Sequence, residues 1–398
     1  MKIAPLTLYS LAAVFEIAGS SGAAMLAPFF MNAHGYSIAL ASVPLFVNGI
    51  GRVCSDLTSG VLASYFSSGV LIVAATVAAI MVSAVAILFL DSTAVFLAAF
   101  TILGATEAMF ALSIRKIAFE HSEPGQQGRA QGQVAAALGI GFSIGPLIGG
   151  FVGRVFGPDA LFALYALPQI AGLILILLGG AHRSRTLTQE STIELWREGK
   201  KLLGQPWFLA SALAIFQAFA MLVGVTRIAF PFLAVNQRGF GLDWVGTMVA
   251  ISRVTDTLGR YTGGRLCDRF TAPRVILLGV GIGVPMFLVL PYGFEALTLV
   301  IPLAIMTMGF GYTNVGATTF ALQSAGGNAK ALALGLTRAS TSLGNGLGPL
   351  FAGVLVQTFG YETGFHVMAA FSAAVFLLTW LGLKRRPVGG AADSSRLG

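Results

Sequence analysis

Cysteine, histidine and charge are all scarce in this 398-residue chain. The two cysteines, Cys54 inside one apolar stretch and Cys267 at the end of another, leave no room for a disulfide framework or a cysteine metal site. The four histidines, His34, His121, His182 and His366, fall near loops or segment ends with no nucleophile or metal-spaced partner, which argues against an enzyme. A phosphate-cradling Walker loop is missing, so ATP is not the energy source, and no cofactor or metal is expected. Charged residues make up 10% of the chain, against roughly 25% in a soluble domain. The formal charge of +8 is not gathered into a basic face or module, which excludes nucleic acid as a partner.

Apolar length stands in place of charge. Hydrophobic residues reach 56% and mean hydropathy is +0.83. A hydrocarbon core about 30 Å thick takes ~20 apolar residues per helix. The chain offers twelve such segments, at about 6–31, 38–63, 69–90, 94–114, 131–154, 160–180, 206–234, 243–266, 274–292, 296–324, 332–358 and 363–383. Strands of a barrel would alternate with period two in runs of ~10 residues. The first segment is too long for a cleaved signal and is expected to remain as a helix. The expected fold is therefore an all-α membrane protein with twelve transmembrane helices, and the lipid bilayer is its main solvent.

The segments fall into two related sets. Gly145-Pro146-Leu147 recurs 203 positions later as Gly348-Pro349-Leu350, and Gly132, Gly150 and Phe156-Gly157 recur as Gly335, Gly353 and Phe359-Gly360. Pro28-Phe29 matches Pro231-Phe232, and with one residue of slippage Gly35 matches Gly239 and Gly60 matches Gly264. An offset near half the chain means two homologous halves. The expected division is 1–180 and 206–384 for two pseudo-symmetric six-helix bundles, 181–205 for a linker and 385–398 for a tail. Residues 193–203, with Trp196 and leucines opposite lysines, read either as a surface-lying amphipathic helix or as a plain linker. Lys and Arg gather in alternate connections, with only Arg154 and Arg238 in the opposite loops. The positive-inside rule then places both termini in the cytoplasm, in the cell (inner) membrane.

At this point the chain resembles the major facilitator superfamily, and within it the twelve-helix drug or metabolite:proton antiporter branch. Gly264-Arg-Leu-Cys-Asp268-Arg269-Phe-Thr-Ala-Pro-Arg274 is similar to that family's loop signature Gly-x-Leu-Ala-Asp-Arg-x-Gly-Arg-Arg, with Thr271 and Ala272 in place of its second glycine and the next arginine. The equivalent loop of the first half, from Gly60 to Gly69, keeps only the glycine and leucine. Gly141, Gly145, Pro146, Gly149 and Gly150 in segment 5 resemble the antiporter motif. The segment 4 motif, an arginine before Gln-Gly, is not matched around Gly104. The resemblance implies a monomer with a small-molecule cavity near the midplane, lined by helices 1, 4, 7 and 10. It also implies that Asp268, with Arg269, holds the cytoplasmic side shut against the start of helix 5.

Small residues at three- and four-residue spacing let helices approach closely in lipid. The segment 5 glycines therefore read either as a seal or hinge or as ordinary tight packing. Buried charge is costly, on the order of 2.5–3.5 kcal/mol per residue at mid-bilayer. Segment 2 carries Arg52 and Asp56, and segment 8 carries Arg253, Asp256 and Arg260, each set on one helical face. They admit three roles: intrahelical ion pairs, bridges between halves, or a proton-exchanging carboxylate beside an arginine, with the surplus arginine of segment 8 free for a substrate anion. Glu16, Glu107 and Arg227 fall on cavity-lining helices by the resemblance. Glu16 and Glu107 are the leading protonation candidates, and each can instead bridge to Arg52 or Arg227. Arg115 and Lys116 read as interfacial anchors, and Arg338 as an anchor or as part of a gate. Gln217, Tyr312, Thr313, Asn314 and Gln323 are expected to line the cavity.

These residues point first to a secondary active transporter exporting a small organic solute with the proton as coupling ion. Uptake or exchange of an organic anion on Arg52, Arg227, Arg253 and Arg260 is the alternative, and a non-transporting sensor on the same scaffold is a third reading.

Overall fold

The computed structural model describes residues 5–120, 127–180, 202–325 and 329–384. The tail after Lys384 and all but the last two residues of the 193–203 helix lie outside them. Among the described residues the secondary structure is helical throughout, with no strand. The helices are α1 (Pro5–Ala33), α2 (Val43–Tyr65, after a single turn Ile38–Ala41), α3 (Ser68–Leu88), α4 (Thr93–Glu120), α5 (Gln127–Phe156) and α6 (Leu161–Leu178). Then come α7 (Pro206–Gly224, continued by π turns Val225–Ala229 and Leu233–Gln237), α8 (Leu242–Phe270), α9 (Ala272–Val289) and α10 (Ala296–Ser324). The stretch Ala329–Lys384 is divided by Gly360 into α11 (329–359) and α12 (361–384).

Ten stretches among the described residues are long and apolar enough to cross a membrane. The last of them, Leu332–Lys384, holds both α11 and α12. Helix α8 is not among the ten: its sequence includes Arg253, Asp256 and Arg260, yet at 29 residues it is as long as α1 and packs along α5 and α10. Counted this way, the twelve expected helices are present. Two boundaries differ from the expectation. Helix α2 starts at Val43 because Pro44, lacking an N–H, sits in its first turn. Helix α4 runs on to Glu120, since Arg115 and Lys116 end an apolar run without breaking a helix.

The repeat seen in the sequence is visible in the backbone. Gly157 (φ 79°, ψ 170°) and Gly360 (φ 76°, ψ 176°) make the α5–α6 and α11–α12 turns in a region open essentially to glycine alone. Gly35 and Gly239 likewise share positive φ. In the first half α1 packs on α5 and α6, α2 on α4, and α3 on α4 and α6. In the second half α7 packs on the α11–α12 stretch, α8 on α10, and α9 on α10 and that same stretch.

The halves meet along α5 with α8 and α2 with α11. We call the end where α1 starts proximal and the end where it finishes distal. At the distal end the backbones of the two halves touch at glycines that leave no space for a Cβ. A Cβ on Gly246 would strike Pro146 O and the Gly150 backbone, and one on Gly49 would strike the Gly346 backbone. Gly353 abuts Ser42. An Arg154–Asp243 ion pair, a bond from the Ile38 N–H to Gln357 Oε1 (3.1 Å) and the Phe29–Phe232 ring contact (4.9 Å) complete this closure. Towards the proximal end the contact loosens: a Cβ at Gly132, Gly264 or Gly335 meets nothing within 4 Å.

This packing yields a direct test. In a background lacking Cys54 and Cys267, a Leu45→Cys probe should react with an impermeant maleimide from the proximal side only. Adding Gly246→Leu should make it reactive from the distal side as well. Unchanged one-sided labelling would show that the α5–α8 contact does not seal that end.

Candidate functional site

Below the distal closure the two halves enclose a cavity of about 370 Å³. Helix α5 helps to form it by wedging between two neighbours. Gly141, Gly145 and Gly149 face α1, meeting Ile17, Ala18 and Gly22, while Gly150 faces α8. Helix α11 repeats the device, with Gly344 and Gly348 against α7 and Gly353 against the turn before α2. The glycines are thus positions of tight packing, and Pro146 contributes its carbonyl to the α8 contact.

The cavity wall is strongly cationic. Arg52 from α2, Arg115 from α4, Arg227 from α7, Arg253 and Arg260 from α8 and Arg338 from α11 all line it, opposed by Asp56 and Asp256 alone. Both aspartates are already engaged. Arg260 donates to Asp256 through Nη2 (2.7 Å) and Nε (3.2 Å), and Ser342 Oγ of α11 donates to Asp56 Oδ2 (2.6 Å) across the halves. Arg253 Nη2 donates to Thr226 Oγ1 (2.8 Å). The Arg227 and Arg338 side chains have no ion-pair or hydrogen-bond partner among the described residues. A planar guanidinium with free N–H groups is suited to holding a carboxylate or phosphate in two-point contact.

Behind the wall lies a second charged group. Arg52 Nη2 pairs with Glu107 Oε2 of α4 at 2.5 Å, and Tyr165 of α6 donates to Glu107 Oε1 at 3.3 Å. Arg52 therefore pairs across helices, and the intrahelical partnership with Asp56 is not formed. The cause is the closeness of α2 and α4: Gly51 meets the Thr101 carbonyl and Gly104 the Asn48 carbonyl, with no space for a Cβ at either. Glu107, one turn on from Gly104, then reaches Arg52, the residue after Gly51. Among the described residues, the ion pair within one helix is that of α8. Glu16 on α1 is 1% exposed, and its Oε2 has no hydrogen-bond partner.

Several expectations are corrected. Glu16 and Glu107 do not line the cavity but stand behind it, whereas Arg227 does line it. Arg115, read as an interfacial anchor, and Arg338, read as an anchor or part of a gate, are wall residues. Of the polar residues expected on the wall, only Asn314 is there: Gln217 is buried against Ser372 (2.8 Å), Tyr312 and Thr313 are buried in the second half, and Gln323 is exposed. Sequence reading missed Asn48, Thr337, Thr341, Ser342 and Asn345. The last four recur at three- and four-residue spacing on α11, the polar stripe that marks a wet face.

The Gly264, Asp268 and Arg269 group ends α8. Asp268 and Arg269 are exposed and make no ion pair among the described residues. Among the described residues no hydrogen bond or ion pair joins Asp268 to α5, and a Cβ at Gly132 or Gly264 meets nothing within 4 Å. Thr271, standing where the loop signature has glycine, holds φ at 91°, the one positive φ outside glycine among the described residues.

Comparison with known proteins agrees with this architecture. Residues 9–338 match the Major Facilitator Superfamily. Multidrug resistance protein 1 of Bacillus subtilis (strain 168) is 25% identical over 232 residues, which is 57% of this chain and 58% of that protein. Multidrug resistance protein 2 of the same organism is 23% identical over 266 residues, 65% of this chain and 64% of that protein. The chain thus spans about three fifths of the length of these curated relatives. A solved bacterial homolog of the human lysosomal transporter Spinster, in an inward-facing and unoccupied conformation, superposes with a TM-score of 0.78 at 16% identity, covering 96% of each chain.

Two substitutions test the local physics. Glu107→Ala leaves Arg52 without its partner in a largely buried position and should cost about 3 kcal/mol, read as a lower thermal unfolding temperature in detergent; no change would mean that the pair is not structural. Thr271→Gly relieves the strained backbone and should stabilise by about 1 kcal/mol, and a fall in unfolding temperature would refute the strain.

Proposed function

The chain belongs to the Major Facilitator Superfamily, and from that premise we propose that it is a secondary active transporter that carries a small organic anion through its arginine-lined cavity by alternating access. The observation that carries this reading is the imbalance on the wall: six arginines against two aspartates that already have partners. An empty cavity of that charge repels cations and leaves guanidinium N–H groups unfilled. A solute carboxylate or phosphate fills both needs at once. Arg227 on one half and Arg52 on the other offer contacts from opposite walls, so a bound anion can draw the halves together.

With the termini in the cytoplasm of an inner membrane, the proximal end is cytoplasmic and the present arrangement is inward-facing, like that of the Spinster homolog. Rocking the halves about the cavity would release the distal glycine contacts and bring Asp268 to α5. The energy then comes from an ion gradient, with the proton as coupling ion at Glu16 and Glu107.

Proton-driven export of a drug-like solute is the second reading. Its support is the similarity to the two Bacillus multidrug resistance proteins and the pair of buried carboxyls behind the wall. Flux into and out of proteoliposomes, with pooled anionic, cationic and neutral solutes, separates the two. Anion flux that Arg227→Gln cuts at least about tenfold, as loss of a charge-assisted contact would, is expected. Flux confined to cations would overturn the anion reading in favour of export of a cationic solute.

A further inference from the structure

The Glu16, Glu107 and Arg52 group joins the cavity to a buried proton site, and its charge count fixes the sign of the connection. Of two buried carboxyls, Glu107 (6% exposed) holds the guanidinium of Arg52, and Glu16 (1% exposed) lies near enough to act on both electrostatically. The Glu16 carboxyl lies against the Gln169 side chain of α6. Glu16 Oε2 and Gln169 Oε1 are both buried acceptors with no donor. A proton on Glu16 supplies a donor there. The other groups that face this carboxyl are known. Glu107 of α4 and Arg52 of α2 act on it electrostatically, and Tyr165 of α6 feels both carboxylates. From the other half, Arg227 feels Glu107 and Arg52 across the cavity. Helix α5 packs on a different face of α1, at Val14, Ile17, Ala18 and Gly22, and meets it with Gly141, Gly145 and Gly149.

Arg52 belongs to both compartments. It lines the cavity while its Nη2 is held by Glu107, and its Nε is buried with no acceptor. With both carboxyls ionised, their two negative charges occupy the positive charge of Arg52 and offset that of Arg227. Each proton taken up by the pair returns one unit of positive charge to the cavity wall. A solute anion needs that unit, and a solute cation is opposed by it.

Resting on the anion reading above, we propose that proton uptake at the Glu16–Glu107 pair and anion binding at Arg52 favour each other, so that the chain carries proton and anion in the same direction. This reverses the exchange expected from the resemblance to antiporters. Linkage makes the coupling reciprocal: a proton that strengthens anion binding is itself held more tightly once the anion is bound. The first proton completes Glu16, and a second on Glu107 would release Arg52 to the solute. No covalent step is involved; protons and solute enter and leave as bound.

The experiment is calorimetric titration of the purified full chain in detergent with benzoate, succinate and glucose 6-phosphate as probes, from pH 6 to pH 8.5. Measurement in two buffers of different ionisation heat counts protons. Wild type should take up protons as the anion binds, and affinity should weaken about tenfold as pH rises, a typical coupling. Glu16→Gln, which mimics the protonated form, should lose proton uptake at that site and flatten the pH profile. Proton release on anion binding, or anion affinity independent of pH in wild type, would overturn the coupling while leaving the anion reading intact. If none of the three anions binds at any pH and tetraphenylphosphonium does, the anion reading fails and this inference with it. The wild-type proton count stands by itself should the variant not fold.

Discussion

Apolar side chains gain little by leaving lipid for a helix surface, so helices in a bilayer meet where small residues let their backbones touch. In this protein that constraint is met at the distal end, where Gly150 and Gly246 join α5 to α8 and Gly49 and Gly346 join α2 to α11. These two backbone contacts, with Gly353 against Ser42 as the repeat counterpart of Gly150 against Gly246, close one end of the molecule. Everything proximal to them must then diverge, since straight helices that touch at one end and carry bulk beyond it cannot stay together. The cavity is the space that results, and its walls are parts of α1, α2, α4, α5, α7, α8, α10 and α11.

That geometry explains why charge survives in the interior. A lone ion facing lipid is expensive, but one facing a wet cavity or a partner is tolerated. The buried charges other than Glu16 have met one of these conditions. Asp256 is satisfied within α8, Asp56 by Ser342, and Glu107 by Arg52, while Arg227 and Arg338 keep their N–H groups towards the cavity. The two halves share the fold of the repeat and differ in what they place behind it. The first half hides two carboxyls, and the second contributes surplus arginine. The functional asymmetry of the molecule comes from those side chains and not from its backbone.

Much of the fold was legible because it depends on quantities that a linear string carries. Apolar length gives the helices, and an offset near half the chain gives the repeat. Glycines at that offset mark turns, as Gly157 and Gly360 later show with near-identical backbone angles. The candidate site was legible only in part. Arg227, Arg253 and Arg260 could be placed because charge deep in an apolar segment needs a wet face. Arg115 and Arg338 were misjudged because position near a segment end says nothing of whether a side chain points to lipid headgroups or to a cavity. The Arg52 partnership was missed because helical spacing favours Asp56, and the closeness of α4 that overrides it depends on Gly51 and Gly104 lying opposite each other.

The sequence by itself therefore determined the number of membrane helices, their duplication and the depth at which charge is buried, since these follow from composition and period along one chain. The tertiary structure alone decided which carboxylate each arginine holds, which glycines face which helix and which end is closed. Those outcomes depend on the rotation and approach of helices far apart in the chain, where a shift of a few ångströms exchanges one partner for another.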